Sequence, residues 1–203
     1  MAPSATHPTK TKLIETTAKL LRTLPRQELT AELILQTSGI SKGSLYHHFE
    51  DLDELIESAM LLRYTAWVDV SIDAMTQILT SGESAQDIYN QLVTITARTQ
   101  DPKMKVERLY RTEVLSLAAQ SPRFAKLLGE EQQRLTDALT DLIREVQELG
   151  YYKKEYDPKA IAVFIQAYTL GKVIDDFSDS PMNPESWNSL INAVIKKVFS
   201  TLD

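Results

Sequence analysis

Lys42, Gly43, Ser44, Tyr46, His47 and His48 place a cation, a glycine, two hydroxyls and two imidazoles within seven residues. Lysine, serine, tyrosine and histidine donate hydrogen bonds to phosphate oxygens, and a glycine among them lets backbone or base edges come close. The chemistry suggested is contact with a polyanion, not the making of a covalent bond.

Such groups need a rigid carrier, and the flanking residues specify one. An apolar run, Leu33, Ile34 and Leu35, ends at Thr37-Ser38. Gly39 supplies a residue that tolerates positive φ, and Ser41 can cap the helix that follows. Two short helices joined in this way meet at a steep angle. In the second helix Leu45 and Phe49 lie four residues apart and pack inward together, which leaves the polar residues on the other faces. The alternative reading is ordinary scaffold, with tyrosine and histidine half-buried at helix ends.

Competing chemistries are scarce. The chain has no phosphate-cradling glycine loop, no HExxH and no GxSxG. His7, His47 and His48 are its only histidines, so a histidine-based catalytic site beyond the first 50 residues is excluded. Asp175-Asp176, Glu130-Glu131 and Glu113 remain as candidates for carboxylate catalysis. Consecutive helical residues point about 100° apart, so these pairs read as solvated or helix-end acids, and no enzyme activity is expected. Asp175, Asp176 and Asp179 lack the dense oxygen ligands of a calcium loop, so neither a metal nor a cofactor is expected.

Composition sets wider bounds. The chain has 203 residues, 43% of them hydrophobic, enough for a packed core of one or two domains. Cysteine is absent, which excludes disulfides, thiolate zinc sites and cysteine nucleophiles and fits a cytoplasmic location. The N-terminus lacks an apolar signal core and no apolar run is long enough to span a bilayer, so no membrane association is expected. Residues 1 to 50 carry six Lys/Arg and four Asp/Glu, a net charge of +2, which leaves −8 for the remainder of a chain whose total is −6. A mildly basic head on an acidic body suits binding DNA through one face.

The elements read as all-α. Pro3 and Pro8 mark residues 1–9 as a flexible arm, and helical spacing from Lys10 to Leu24 predicts a helix stopped by Pro25. Asp51 with Glu54 resembles a capping box opening a long helix over 51–80. Further helices are expected at about 84–99, 103–120 and 122–149, the last capped by Gly150, then from Pro158 to about Phe177 and from Pro184 to Leu202. This gives about nine helices, with residues 10–50 as a head and 51–203 as a body.

Within the body, Trp67, Met75, Tyr89, Leu92, Met104, Tyr110, Phe124, Leu127, Phe164 and Tyr168 either line a small-molecule cavity or form core. Arg111, Glu113 and Gln166 are the polar residues on apolar-rich helices that could orient a ligand. The last two helices carry wide apolar stripes: Ile161, Phe164, Ile165, Tyr168, Gly171 and Ile174 on one, Trp187, Ile191, Val194 and Val198 on the other. Two copies of the pair could form a four-helix dimer seam; packing against the body is the alternative.

The string Ile40-Ser41-Lys42-Gly43-Ser44-Leu45-Tyr46-His47-His48-Phe49, preceded by Thr30 and followed by Asp51 to Ile56, resembles the DNA-binding head of the TetR family of transcriptional regulators. The match is specific over residues 11–56 and architectural beyond them. The resemblance implies that Lys42, Gly43 and Ser44 approach bases and nearby phosphates, and that Tyr46, His47 and His48 contact phosphates, with Thr30 and Ser41 at the same surface. Leu45 and Phe49 match core positions. It also implies an effector cavity in the body, a homodimer, and a repressor released from a palindromic operator by a small molecule. A ligand-independent regulator or activator acting through a protein partner, and a helical interaction module without DNA binding, are the rival readings. The chain departs from the family pattern at Leu52, where a lysine is common, at Leu35 and Ser38, where alanines are usual, and at Pro25-Arg26-Gln27, which replaces a glycine-bearing loop.

Overall fold

The computed structural model describes residues 7–202. Among these, nine α-helices account for the fold, and the one strand-like feature is an isolated antiparallel bridge between Tyr152 and Ser200. The chain divides into two compact units, one ending at Trp67 and one beginning at Val68.

The first unit opens with α1, Pro8–Leu20. Proline suits the first helical position, where its missing N–H costs nothing, and the His7 Nδ1 accepts from the Thr9 N–H at 3.2 Å as the cap. The helix therefore starts two residues before Lys10, inside the segment expected to be an arm; residues 1–6 lie outside the described residues. It closes at Leu20, whose carbonyl accepts from the N–H groups of both Thr23 and Leu24, so the chain turns before it reaches Pro25. Pro25 instead leads into a 3-10 turn, Arg26–Glu28.

Helix α2, Ala31–Ser38, is capped by Thr30, and α3, Lys42–His48, by Ser41. Between them Gly39 holds φ at +66°, the left-handed conformation that ends α2. Leu13 of α1, Ile34 of α2, Leu45 of α3, Phe49 and Leu55 form a single buried cluster, with Ile14, Leu20, Leu35, Ile40 and Leu52 packed on its margin. Leu35 and Leu52, two of the departures from the family pattern, thus serve as packing around this small core.

Helix α4, Leu52–Ser81, is continuous through both units. Its start is the expected capping arrangement with a shifted return bond. Glu54 N–H donates to the Asp51 carboxylate at 2.6 Å, while the Glu54 carboxylate accepts from the N–H of Glu50 at 2.6 Å.

The second unit continues with α5 (Ala85–Gln100), α6 (Lys105–Ala118), α7 (Pro122–Glu148), α8 (Pro158–Gly171) and α9 (Pro184–Val194). Ser84, Ser121, Asp157 and Asn183 cap α5, α7, α8 and α9, and proline occupies the first turn of the last three. Helix α7 packs on α6 and α8, and α5 packs on α9. Leu135, Leu139, Ile143 and Val146 of α7 and Ile161 and Ala162 of α8 are buried in this core.

Two helix ends differ from the periodicity. Beyond Gly171 the chain tightens into a 3-10 segment, Lys172–Phe177, where Asp176 is drawn to α6 by Arg108. Beyond Val194 it widens into a π turn, Ile195–Phe199, whose end is tied to the 150–153 loop: Lys153 N–H donates to Phe199 O at 2.8 Å and Thr201 N–H to Tyr151 O at 3.0 Å. Tertiary hydrogen bonds, not local spacing, set both ends. No helix among the described residues is long and apolar enough to cross a membrane.

Candidate nucleic-acid interface

Every residue singled out on the second short helix sits where its cap and core partners put it. Ser41 Oγ accepts from Ser44 N–H at 3.2 Å, and Leu45 and Phe49 are held in the head core at 0% and 2% exposure. This anchoring turns Lys42, Gly43, Tyr46 and His47 outward, Tyr46 to 47% exposure. Ser44 is half-buried, its hydroxyl 3.0 Å from that of Ser41. Thr30 is exposed and caps α2, its hydroxyl accepting from Leu33 N–H at 3.2 Å. Thr30 and Ser41 are therefore helix caps, and the Ser41 and Ser44 hydroxyls share one further hydrogen bond.

The imidazoles gather at one place. His48 lies with its ring centroid 4.7 Å from His7 and 5.0 Å from His47, and Lys10 Nζ stands 5.2 Å from the Phe49 ring. Burial, followed by the charges of His7, His47 and Lys10, holds the His48 imidazole below its usual range. The surface formed is polar and cationic at Lys42 and Lys10. His7 was missed from the sequence because its place beside α3 depends on the start of α1. Within the same unit, a groove of about 500 Å³ is lined by Glu15, Ala18, Lys19, Arg22, Leu62, Arg63 and Ala66, none of them anticipated.

The residues expected at an effector pocket divide. Leu92, Tyr110 and Phe124 are buried, at 6%, 7% and 0% exposure, while Leu127 points outward at 37%. Met75, Tyr89, Met104 and, in the first unit, Trp67 are half-buried. Tyr168 brings its hydroxyl to within 3.4 Å of Thr96, and burial pushes that phenol above its usual range. Arg111 donates to Thr169 O at 3.4 Å. Gln166 is engaged by Gln132 and Thr136, and Glu113 is exposed. The interior polar residues that periodicity overlooked are Gln100, Arg108 and Lys172, at 1%, 1% and 4% exposure. Gln100 continues the stripe Ile88, Leu92, Thr96 at a four-residue interval, a signal that was available; Arg108 has no such local signal.

The carboxylate pairs are used structurally. Asp176 receives Nε and Nη2 of Arg108 at 2.6 and 2.7 Å, Asp175 accepts from Met182 N–H at 3.1 Å, and Glu131 pairs with Arg134 at 2.8 Å.

The apolar face expected for a dimer is displaced. Ile161 and Ile191 are buried inside their own chain at 1% and 4% exposure, so neither can be contact surface. Trp187 is tied inward by its Nε1–H to Gln100 Oε1 at 3.0 Å, and Tyr168 by its contact with Thr96. Ile165, Val194 and Val198 are half-buried and Gly171 is exposed. The outward apolar residues on these elements are Val163, Phe164, Ile174, Phe177 and Leu190, at 38% to 81% exposure; Phe164, Ile174 and Leu190 belong to the apolar stripes read from the sequence, and Val163 and Phe177 lie beside them.

No family model matches the chain. Curated relatives do. It is 24% identical over 169 residues to the HTH-type transcriptional repressor KstR2 of Mycobacterium tuberculosis, covering 78% of this chain and 76% of that one. Its fold is that of a TetR-family transcriptional regulator from Mesorhizobium loti, with a TM-score of 0.71 at 13% identity over 95% of this chain and 97% of the other. Salmonella enterica GusR superposes with a TM-score of 0.66 at 18% identity, over 98% of both chains. With the capped glycine turn, the anchored second helix and an all-α body, these likenesses give the chain the fold of the TetR-family transcriptional regulators.

Proposed function

We propose that the chain is a homodimeric transcriptional repressor that binds a palindromic operator through α3 and is released by a small-molecule effector. The carrying observation is the outward polar face of a short helix fixed by the Ser41 cap on one side and by Leu45 and Phe49 on the other. In this reading α3 enters the major groove: Lys42, Gly43 and Ser44 face bases and nearby phosphates, and Tyr46, His47 and His48 face phosphates. Thr30 and Ser41 offer their hydroxyls and the free N–H groups of helix starts to the backbone.

A surplus of +2 on the first 50 residues is a small electrostatic drive, so affinity depends on two heads acting together. Two copies related by a two-fold axis would cover Val163, Phe164, Ile174, Phe177 and Leu190 and present two α3 helices to half-sites about one helical turn, ~34–36 Å, or more apart. Because α4 is a single helix from head to body, an effector that binds better to one setting of α4 favours one head spacing. It then lowers operator affinity by its differential binding energy. The reading is tested by measuring operator affinity and mass of the DNA complex with and without saturating compounds from a metabolite library. Two chains per site and release by at least one compound support it; one chain per site, or affinity indifferent to every compound, counts against it.

Two expected results follow at single residues. Lys42→Ala weakens binding evenly across DNA sequences and lowers the slope of log affinity against log salt by about one unit, because a phosphate contact is lost. Isotherms that superimpose with wild type across a salt series would contradict this.

The second concerns pH. Phosphate favours the imidazolium of His48, so DNA binding takes up protons and affinity rises as pH falls from about 7 toward 6; His48→Gln flattens that rise. Stability of the free head runs the other way. The folded value of His48 is depressed, so its contribution is present above the ordinary imidazole value and is lost as pH falls through it toward the folded one. Anisotropy titrations at constant ionic strength check the first statement, and equal pH slopes for both proteins would refute it.

A further inference from the structure

Helix α5 buries one residue per turn, and the last two of the stripe Ile88, Leu92, Thr96, Gln100 are polar. Helix α9, which packs on α5, turns Ile191 inward, the π turn that follows it buries Ile195, and α9 carries Asn188 and Asn192, four residues apart. Trp187 Nε1–H donates to Gln100 Oε1 at 3.0 Å, which fixes the orientation of that amide. Three polar atoms carried by these two helices are buried with no hydrogen-bond partner among the described residues: Gln100 Nε2 on α5, and Asn188 Oδ1 and Asn192 Oδ1 on α9.

Leaving a buried donor or acceptor unpaired costs its full desolvation, whereas apolar side chains of the same size would carry no such cost. A seam serving only to hold α5 on α9 gains nothing from these amides. The unpaired set has a definite chemistry: one N–H donor and two carbonyl acceptors, all uncharged. An ionised ligand would be stripped of water there without a counter-charge, which disfavours it.

Resting on the effector-responsive reading above, we propose that the α5–α9 seam is the polar end of the effector site and selects a neutral hydroxylated small molecule. Its hydroxyls donate to Asn188 Oδ1 and Asn192 Oδ1, and one of its oxygens accepts from Gln100 Nε2. The Trp187 indole, held by Gln100, supplies an apolar wall and makes the site readable by fluorescence.

The chain has two tryptophans, so Trp67→Phe leaves Trp187 as the sole reporter. In that background cis-1,2-cyclohexanediol, which carries two donors, is titrated beside its dimethyl ether, which has the same ring and oxygens but no donor. The diol is expected to shift Trp187 emission saturably and to bind at least about tenfold more tightly than the ether. Asn188→Leu combined with Asn192→Leu should erase that preference while raising the melting temperature, since buried unpaired polar groups are removed. Gln100→Met provides a volume-matched second variant with the same expected loss should the double variant fail to fold.

Equal responses to diol and ether, or none up to the solubility limit, would overturn the proposal. So would a lower melting temperature in the leucine variants, because the amides would then be structural. The two readings fail separately. An operator released by another compound while the diol stays silent removes the seam and leaves the repressor; a saturable diol response in a protein that selects no DNA does the reverse.

Discussion

Phe49→Ala is expected to destabilise the head by about 3–5 kcal/mol, enough to remove much of the stability of a small unit and with it DNA binding. The ring is 2% exposed and shares one cluster with Leu13, Ile34, Leu45 and Leu55, so its loss leaves a cavity bordered by all three short helices and the start of α4. Leu45, one turn before it, is the other inward residue of α3, so the helix loses half of its anchor to the head core. Tyr46→Ala, at an exposed position on the same helix, should change stability by no more than about 0.5 kcal/mol while weakening DNA binding. Hydrogen exchange across residues 8–56 separates the two: fast exchange is expected for the Phe49 variant only. Equal protection in both variants would show that the ring is not the keystone of the head.

Asp176→Ala should cost the body a comparable amount, about 3–5 kcal/mol, by leaving the Arg108 guanidinium buried without its counter-charge. The pair is bidentate and almost solvent-free, with side chains 1% and 6% exposed, and Arg108 donates further to the carbonyls of Thr99 and Asp101 at 3.3 Å. The penalty comes from the stranded charge, so a double Arg108→Met and Asp176→Leu variant should recover most of the loss. Hydrogen bonding from Arg108, opposed by burial and aided by the charges of Arg108, Lys172 and Lys105, holds the Asp176 carboxyl below its usual value. Its stabilisation is present above the unfolded carboxyl value of about 4 and is lost as pH falls through that value toward the lower folded one. Acid titrations of stability below about pH 5 should therefore be steeper for wild type than for the alanine variant. Parallel curves, or a single variant as stable as the double, would contradict the assignment.

Local chemistry made much of the head legible in the chain. The Thr30 and Ser41 caps, the positive φ of Gly39 and the inward pair Leu45 and Phe49 all depend on residues within a few positions of one another. Helix starts in the body were legible for the same reason, each a cap followed by proline, as at Ser121, Asp157 and Asn183. What could not be read depends on partners distant in sequence. The 3-10 tightening at Lys172 accompanies a bond from Arg108, 68 residues away, and the π turn at Ile195 ends on bonds to the 150–153 loop. Apolar stripes told which residues avoid water without telling which neighbour covers them, and so Ile161 and Ile191 were expected on a dimer seam when their own chain buries them. His7 was read as part of an arm because a histidine cap ahead of Pro8 has no strong spacing signature.

The central claim is that α3 reads DNA, and the most direct test is selection of random duplexes by the purified protein at moderate salt, followed by sequencing of what is retained. The account predicts enrichment of a two-fold symmetric site whose half-site centres lie about one helical turn or more apart, with Lys42→Ala lowering recovery and Phe49→Ala abolishing it. Retained DNA that shows no shared sequence, or no retention by a folded wild-type protein, would contradict it.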